Sequence, residues 1–206
     1  MEGAPIHWYA FEMAAREGRF MHLLAKLPRE RWAERNENGE TLLHYACCGR
    51  NVAAVVAAVV ALLQSGLVDV NARNEQGITP VYYAVSWNQT RAVEILCVMG
   101  ADLRARNEAG YAPIDIACIP YISGTGCGET LRVLVANGVR LSTAREINRE
   151  TITPEPVAFE QDVLRCRAAV ASILSVERKG NLWRWDKFLL REIAYAVWAT
   201  RYKFHL

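Results

Sequence analysis

The stretch Arg73-Asn74-Glu75-Gln76-Gly77 decides the architecture, because the chain repeats it. Its counterparts are Arg35-Asn36-Glu37-Asn38-Gly39 and Arg106-Asn107-Glu108-Ala109-Gly110. Gly39 to Gly77 is a step of 38 residues, and Gly77 to Gly110 one of 33. A near-constant period in this range marks a solenoid, in which a small unit that cannot bury a core alone stacks on copies of itself. Stacks of this kind present an extended concave surface rather than an enclosed pocket. The period therefore points to binding before any residue is searched for chemistry.

Each phrase is followed by the same kind of sequence. After Gly39 come Thr41, Leu43, His44 and Ala46; after Gly77 come Thr79, Pro80, Val81 and Ala84; after Gly110 come Pro113, Ile114 and Ala117. Gly66, Gly100 and Gly138 close the units, the first two followed by Leu67-Val68-Asp69-Val70-Asn71 and Ala101-Asp102-Leu103. This pattern resembles the ankyrin repeat, with its T-P-L-H-x-A signature, two helices and a turn. The resemblance implies an all-α, ankyrin-type helical solenoid of about four repeats, two of them with insertions, followed by a C-terminal helical segment. The repeats fall at about residues 5–35, 36–73, 74–106 and 107–141.

Local chemistry agrees with the resemblance. Gly77 and Gly110 sit at turns, where a positive φ is free of strain only for glycine. Thr79 is placed to cap the next helix, and Pro80 suits its first position. Gly100 is expected to terminate the second helix. Asn36, Asn74 and Asn107 stand where the family has aspartate, and either side chain can hold a turn. Between Ala46 and Gly66 the chain is longer than between Ala84 and Gly100 by four residues, in a tandem Ala-Ala-Val-Val run at 52–61. Four residues add one helical turn, about 6 Å, and nearly preserve the buried face. The last repeat carries its surplus at 119–128, where a proline and three glycines predict a loop. The first repeat is degenerate, as terminal repeats are. His7, Trp8 and Tyr9 precede it and read first as end-cap packing and second as a ligand site.

Composition bounds the function. At 52% hydrophobic and 22% charged residues, the chain reads as a soluble globular protein. A net charge of +2 is too small to imply nucleic acid from the total alone. No basic n-region or apolar signal core opens the chain, and the apolar run 52–63 is too short to cross a bilayer. The six cysteines form no C-x-x-C pair and read as reduced thiols, with Cys47, Cys97 and Cys118 on core positions, in an intracellular, cytoplasmic protein. The histidines have no metal spacing, and no nucleophile, base and orienting group come together. Gly124, Gly126 and Gly128 lack the lysine of a phosphate loop. No enzyme, metal or cofactor is expected.

The candidate binding residues come from the repeat. Arg35, Arg73 and Arg106, with Glu37, Glu75 and Glu108, form two parallel series along the finger tips. They either pair with each other and stay solvated, or the arginines grip an acidic partner. Gln76, Ile78 and Tyr111 flank the turn glycines, and Trp87 ends a first helix. The resemblance implies that positions such as those of Trp87 and Tyr111 are variable and face the concave groove. Trp87 packs against a neighbouring repeat or anchors a partner.

Beyond Gly138 the period fails. Residues 142–156 read as a linker and 157–206 as a helical tail. Its stripe Phe188, Ile193, Val197 and Trp198, joined by Trp185, has helical period. The stripe is expected to cap the last repeat around Leu131, Val133 and Leu134, or to recruit a partner. An ankyrin solenoid with a helical tail resembles viral and other host-manipulating adaptors whose F-box-like tails recruit cullin ubiquitin ligases, although the Leu-Pro start of an F-box is missing here. The tail has nine Lys/Arg against five Asp/Glu, which makes nucleic acid a further alternative. The expected partner is a protein, and neither a membrane nor nucleic acid is expected as the main ligand.

Overall fold

The computed structural model describes residues 5–118 and 127–141, and position 161 alone beyond them. By its contacts the chain divides into two units, Met1–Ile152 and Thr153–Leu206. All that follows belongs to the first. The tail residues Trp185, Phe188, Ile193, Val197 and Trp198, the linker at 142–156 and the insertion at 119–126 lie outside the described residues.

Each unit is a pair of helices entered from a tight turn. The pairs are α1 (Trp8–Arg16) with α2 (Phe20–Leu24), α3 (Leu42–Ala46) with α4 (Val52–Gln64), α5 (Pro80–Ser86) with α6 (Thr90–Val98), and α7 (Pro113–Ala117) with α8 (Cys127–Ala136). Packing follows sequence order in two layers. Helices α1, α3, α5 and α7 stack on one another, as do α2, α4, α6 and α8. The described residues form an all-helical solenoid, interrupted by a single β-bridge between Arg35 and Thr41.

The core lies between the layers. Leu43, Leu62, Val81, Leu96 and Ile114 are fully or almost fully buried. Burial of such a side chain contributes about 1.5–3 kcal/mol, so each short helix is held by its neighbours rather than by its own length. Helix α4 has 13 residues and its counterpart α6 has 9, so the surplus in the second repeat is one helical turn, as the tandem run predicts. Asn51 caps α4 by accepting from Ala54 N at 3.1 Å.

Several expectations need correction. Trp8 and Tyr9 belong to α1 rather than preceding it. Trp8 packs on Tyr45 with ring centroids 5.9 Å apart, whereas Tyr9 is 73% exposed and caps nothing. Cys127 opens α8, so the predicted loop ends earlier than its last glycine. Thr79 stands at the N-cap of α5, yet its buried Oγ1 has no hydrogen-bond partner. In the second repeat the partner of the equivalent Thr41 is a histidine ring, and at that position α5 has Tyr82. Cys47, Cys48 and Cys118 are buried, while Cys97 is only half-buried. Leu131 and Leu134 are buried, and the tail expected to cover them lies outside the described residues.

Two glycines separate the constraints of this fold. A Cβ on Gly49 would stand 2.4 Å from Val55 Cγ2 and 2.9 Å from Ala15 O. Gly49 thus marks a close approach of the first and second repeats. Gly66 has φ +70° and open space where its Cβ would be. Gly49→Ala is expected to lower stability by about 1–3 kcal/mol through overpacking. Gly66→Ala should lose only about 1 kcal/mol to the left-handed backbone. Urea unfolding followed by circular dichroism checks the order. Equal losses would mean that the approach at Gly49 relaxes freely.

Candidate functional site

The finger tips are built by asparagine. Asn36 Oδ1 accepts from the backbone of Asn38 at 3.0 Å and Glu40 at 2.8 Å. Asn74 Oδ1 repeats this with Gln76 at 3.0 Å and Ile78 at 2.8 Å, and Asn107 Oδ1 accepts from Tyr111 N at 2.8 Å. Successive tips are then joined through the backbone. Glu75 N donates to Asn38 O, and Glu108 N to Gln76 O, each at 2.9 Å.

Arg35 and Arg73 do not pair with the glutamate series. Arg35 Nη1 donates to Arg73 O at 2.8 Å and to Gly39 O at 3.2 Å. Arg73 Nη2 donates to Arg106 O at 2.5 Å. Arg106 Nη1 donates to Gly110 O at 2.7 Å and lies 3.4 Å from Asp115 Oδ2. Arg35 and Arg73 thus staple each tip to the next through a carbonyl, and neither pairs with the glutamate series. Glu37, Glu75 and Glu108 are exposed. Gln76 is exposed, and Ile78 is half-buried with its carbonyl facing the second repeat.

The stacked inner helices present a half-buried aromatic strip. Trp8 on α1 lies against Tyr45 on α3. Tyr83 on α5 meets the His44 ring edge-on at 5.6 Å between centroids. Trp87, the C-cap of α5, lies under the Arg16 guanidinium, whose central carbon is 5.5 Å from the ring centroid. Arg16 in turn pairs with Glu12 at 2.7 Å. Trp87 therefore packs against the first repeat while staying half-exposed. Tyr111 is half-buried at the edge of the fourth repeat. The structure brings Trp87 onto the strip and leaves the charged tips as its rim.

At the centre of the strip is Glu40, which sequence reasoning missed. Its Oε2 accepts from Tyr45 Oη at 2.7 Å and from Asn36 Nδ2 at 3.0 Å, and its Oε1 accepts from Tyr83 Oη. Partial burial works against its charge, but the bonds from Tyr83, Tyr45 and Asn36 outweigh burial and hold the carboxyl below its ordinary range. Burial first, and then the Glu40 charge, pushes both tyrosine hydroxyls up. Burial, reinforced by Glu40 and Glu12, pushes the neighbouring Cys48 thiol up to about 12, so it is not a thiolate nucleophile. The signal that could have found Glu40 is positional. It follows Gly39 as Tyr111, a candidate anchor, follows Gly110.

His44 underlies the strip. Its Nδ1 accepts from Thr41 N at 3.1 Å, which leaves Nε2 to donate to Ile78 O of the next repeat at 3.1 Å. No group of three metal-binding side chains occurs among the described residues, and no described helix is long and apolar enough to cross a membrane.

Burial holds the His44 ring below its ordinary pKa of 6.5, so the unfolded chain takes up this proton more readily than the folded one. Stability from His44 is complete above that value and declines as pH falls below it. The Glu40 contribution is complete above the ordinary 4.5 and is lost as pH falls through the depressed value. Thermal melts between about pH 7 and pH 5 should therefore show stability declining with acidity, and His44→Gln should flatten that decline. An unchanged slope in His44→Gln would refute the assignment.

Comparison with known proteins agrees with this architecture. Residues 11–107 match the family model described as ankyrin repeats in three copies. Mouse NF-kappa-B inhibitor delta is 35% identical over 104 residues, which are 50% of this chain and 31% of that protein. A Rickettsia bellii protein described as an ankyrin repeat protein is 41% identical over 54 residues, 26% of this chain and 32% of that one. The chain spans about a third of the length of these curated relatives. Residues 11–107 are ankyrin repeats.

Proposed function

We propose that this protein is a non-catalytic binding module that holds a protein partner against its stacked inner helices and the rim of its finger tips. The observation that supports it most is the aromatic strip of Trp8, Tyr45, Tyr83 and Trp87, half-exposed on rigid elements beside hydrogen-bonding turns. Aromatic side chains of this kind dominate the energetics of protein interfaces. The extent of the strip over several repeats suits a polypeptide better than a small molecule, which seeks an enclosed pocket. The mouse relative's name marks it as an inhibitor of NF-kappa-B, and holding another protein is an act of the same kind. Buried free thiols at Cys47 and Cys48 suit a reducing, intracellular setting.

The rim has two parts with different jobs in this reading. Arg35 and Arg73 hold the tips together, and Glu37, Glu75, Glu108, Gln76 and Ile78 face or border the partner. Arg106 closes the row. Trp87 and Tyr111 act as anchors.

Affinity capture with the full chain, followed by titration of the captured protein, tests this. Trp87→Ala and Tyr111→Ala are each expected to weaken binding by about 2 kcal/mol while helicity is unchanged. Undiminished affinity in both variants would sink the groove reading.

A further inference from the structure

We infer that the Glu40 carboxylate is the anchor for a basic side chain of the partner, an arginine or lysine on a protein segment laid across the second and third repeats. The inference rests on the binding reading above and names the chemistry of what the groove accepts.

Three observations carry it. First, Glu40 is a half-buried charge without a countercharge. Three neutral donors hold it, and among the described residues no Lys or Arg forms an ion pair with it. Charges taken out of water are ordinarily paired. The nearby cations are engaged elsewhere, Arg16 with Glu12 and Trp87, and Arg35 with the carbonyls of Gly39 and Arg73. Secondly, the carboxylate is only partly spent. Each oxygen of an ionised carboxylate accepts two hydrogen bonds. Oε2 has two donors, whereas Oε1 has the Tyr83 hydroxyl alone. Thirdly, the acid is framed by aromatic rings, with Tyr45 and Tyr83 as its donors and Trp8 packed on Tyr45. Ring faces attract cations, and a guanidinium can stack on a ring while its N–H groups reach a carboxylate.

The rim adds to the same preference. With Arg35 and Arg73 turned onto backbone carbonyls, the exposed Glu37 and Glu75 leave the second and third tips with negative charge that no described Lys or Arg pairs. Charges arranged in this way steer a basic segment toward the groove and lose their effect as salt rises. An acidic partner would meet like charge at the centre of the strip.

Glu40 also clamps the second repeat to the third, so the test must separate anchoring from support. A phage library of random dodecapeptides is panned against the full chain, and selected peptides are titrated by fluorescence polarisation. Selected sequences should share an arginine or lysine at one position, and citrulline there should weaken binding about tenfold or more. In Glu40→Gln the arginine and citrulline peptides should bind alike. In Tyr83→Phe, which keeps the charge and loosens the clamp, arginine should still be preferred. Glu94→Gln, a charge loss on the outer helix α6, should change nothing. Peptides that depend on Trp87 yet ignore citrulline would overturn the anchor and leave the groove reading intact. An arginine preference that survives Glu40→Gln would also overturn it. Peptides indifferent to Trp87, Tyr111 and Glu40 alike would fail the groove reading itself. A library that yields no binder counts against the anchor as well.

Discussion

The structure depends on the backbone hydrogen bonds between successive finger tips, Glu75 N to Asn38 O and Glu108 N to Gln76 O, each 2.9 Å long. Helices of five to nine residues are too short to stand alone. They persist because each pair is set against the next at a spacing that the tips enforce. That spacing has a covalent requirement. A Cβ on Gly77 would come within 3.3 Å of Glu108 N, in a residue whose φ of +73° disfavours any side chain. The turn glycine is thus where left-handed backbone and close approach coincide. The asparagine three residues earlier fixes the turn from inside, and the arginine before it reaches across to the next tip.

Most of this fold was legible in the sequence because it is local and periodic. The turn phrases, the left-handed glycines and the extra helical turn in α4 follow from spacing alone, and the turn asparagines from side-chain reach. What failed were the places where one residue's role is decided by another repeat. Thr79 looks like a cap, but the histidine that partners Thr41 is a tyrosine in its own repeat. The arginines looked like charges looking for counter-charges. A carbonyl in the next turn offers Arg35 and Arg73 a fixed acceptor at no cost in side-chain ordering on a second partner, and it takes precedence over an exposed glutamate. Sequence reading has no view of carbonyls, since every residue has one.

Glu40 was illegible for a related reason. Its neighbours Tyr45 and Tyr83 are 5 and 43 residues away, and only the stacking of α3 on α5 brings their hydroxyls onto one carboxylate. Net charge hid it as well. A total of +2 describes the chain, while the described rim and strip have their cations engaged and carboxylates left over. Local electrostatics in a solenoid are set by which charges its own joints consume.

The joints are not all alike, and the difference bears on where binding energy can be gained. Several side chains cross between the second and third repeats, Arg35 and Asn71 among them. His44 Nε2 meets Ile78 O at 3.1 Å, Gln89 Nε2 donates to Gly49 O at 2.6 Å, and Tyr83 donates to Glu40. At the signature position of the third repeat, Tyr82 meets Asn107 Nδ2 at only 3.5 Å, the limit of a hydrogen bond, and that joint relies instead on Thr130, which donates to Asn88 Oδ1 at 2.7 Å. In the fourth, Asp115 turns back to its own Ala112 N at 2.6 Å. The aromatic strip and its carboxylate thus sit on a joint that side-chain hydrogen bonds tie at several points. A surface already ordered gives up less entropy when a partner settles on it, so the same contacts yield more affinity there than on a looser joint.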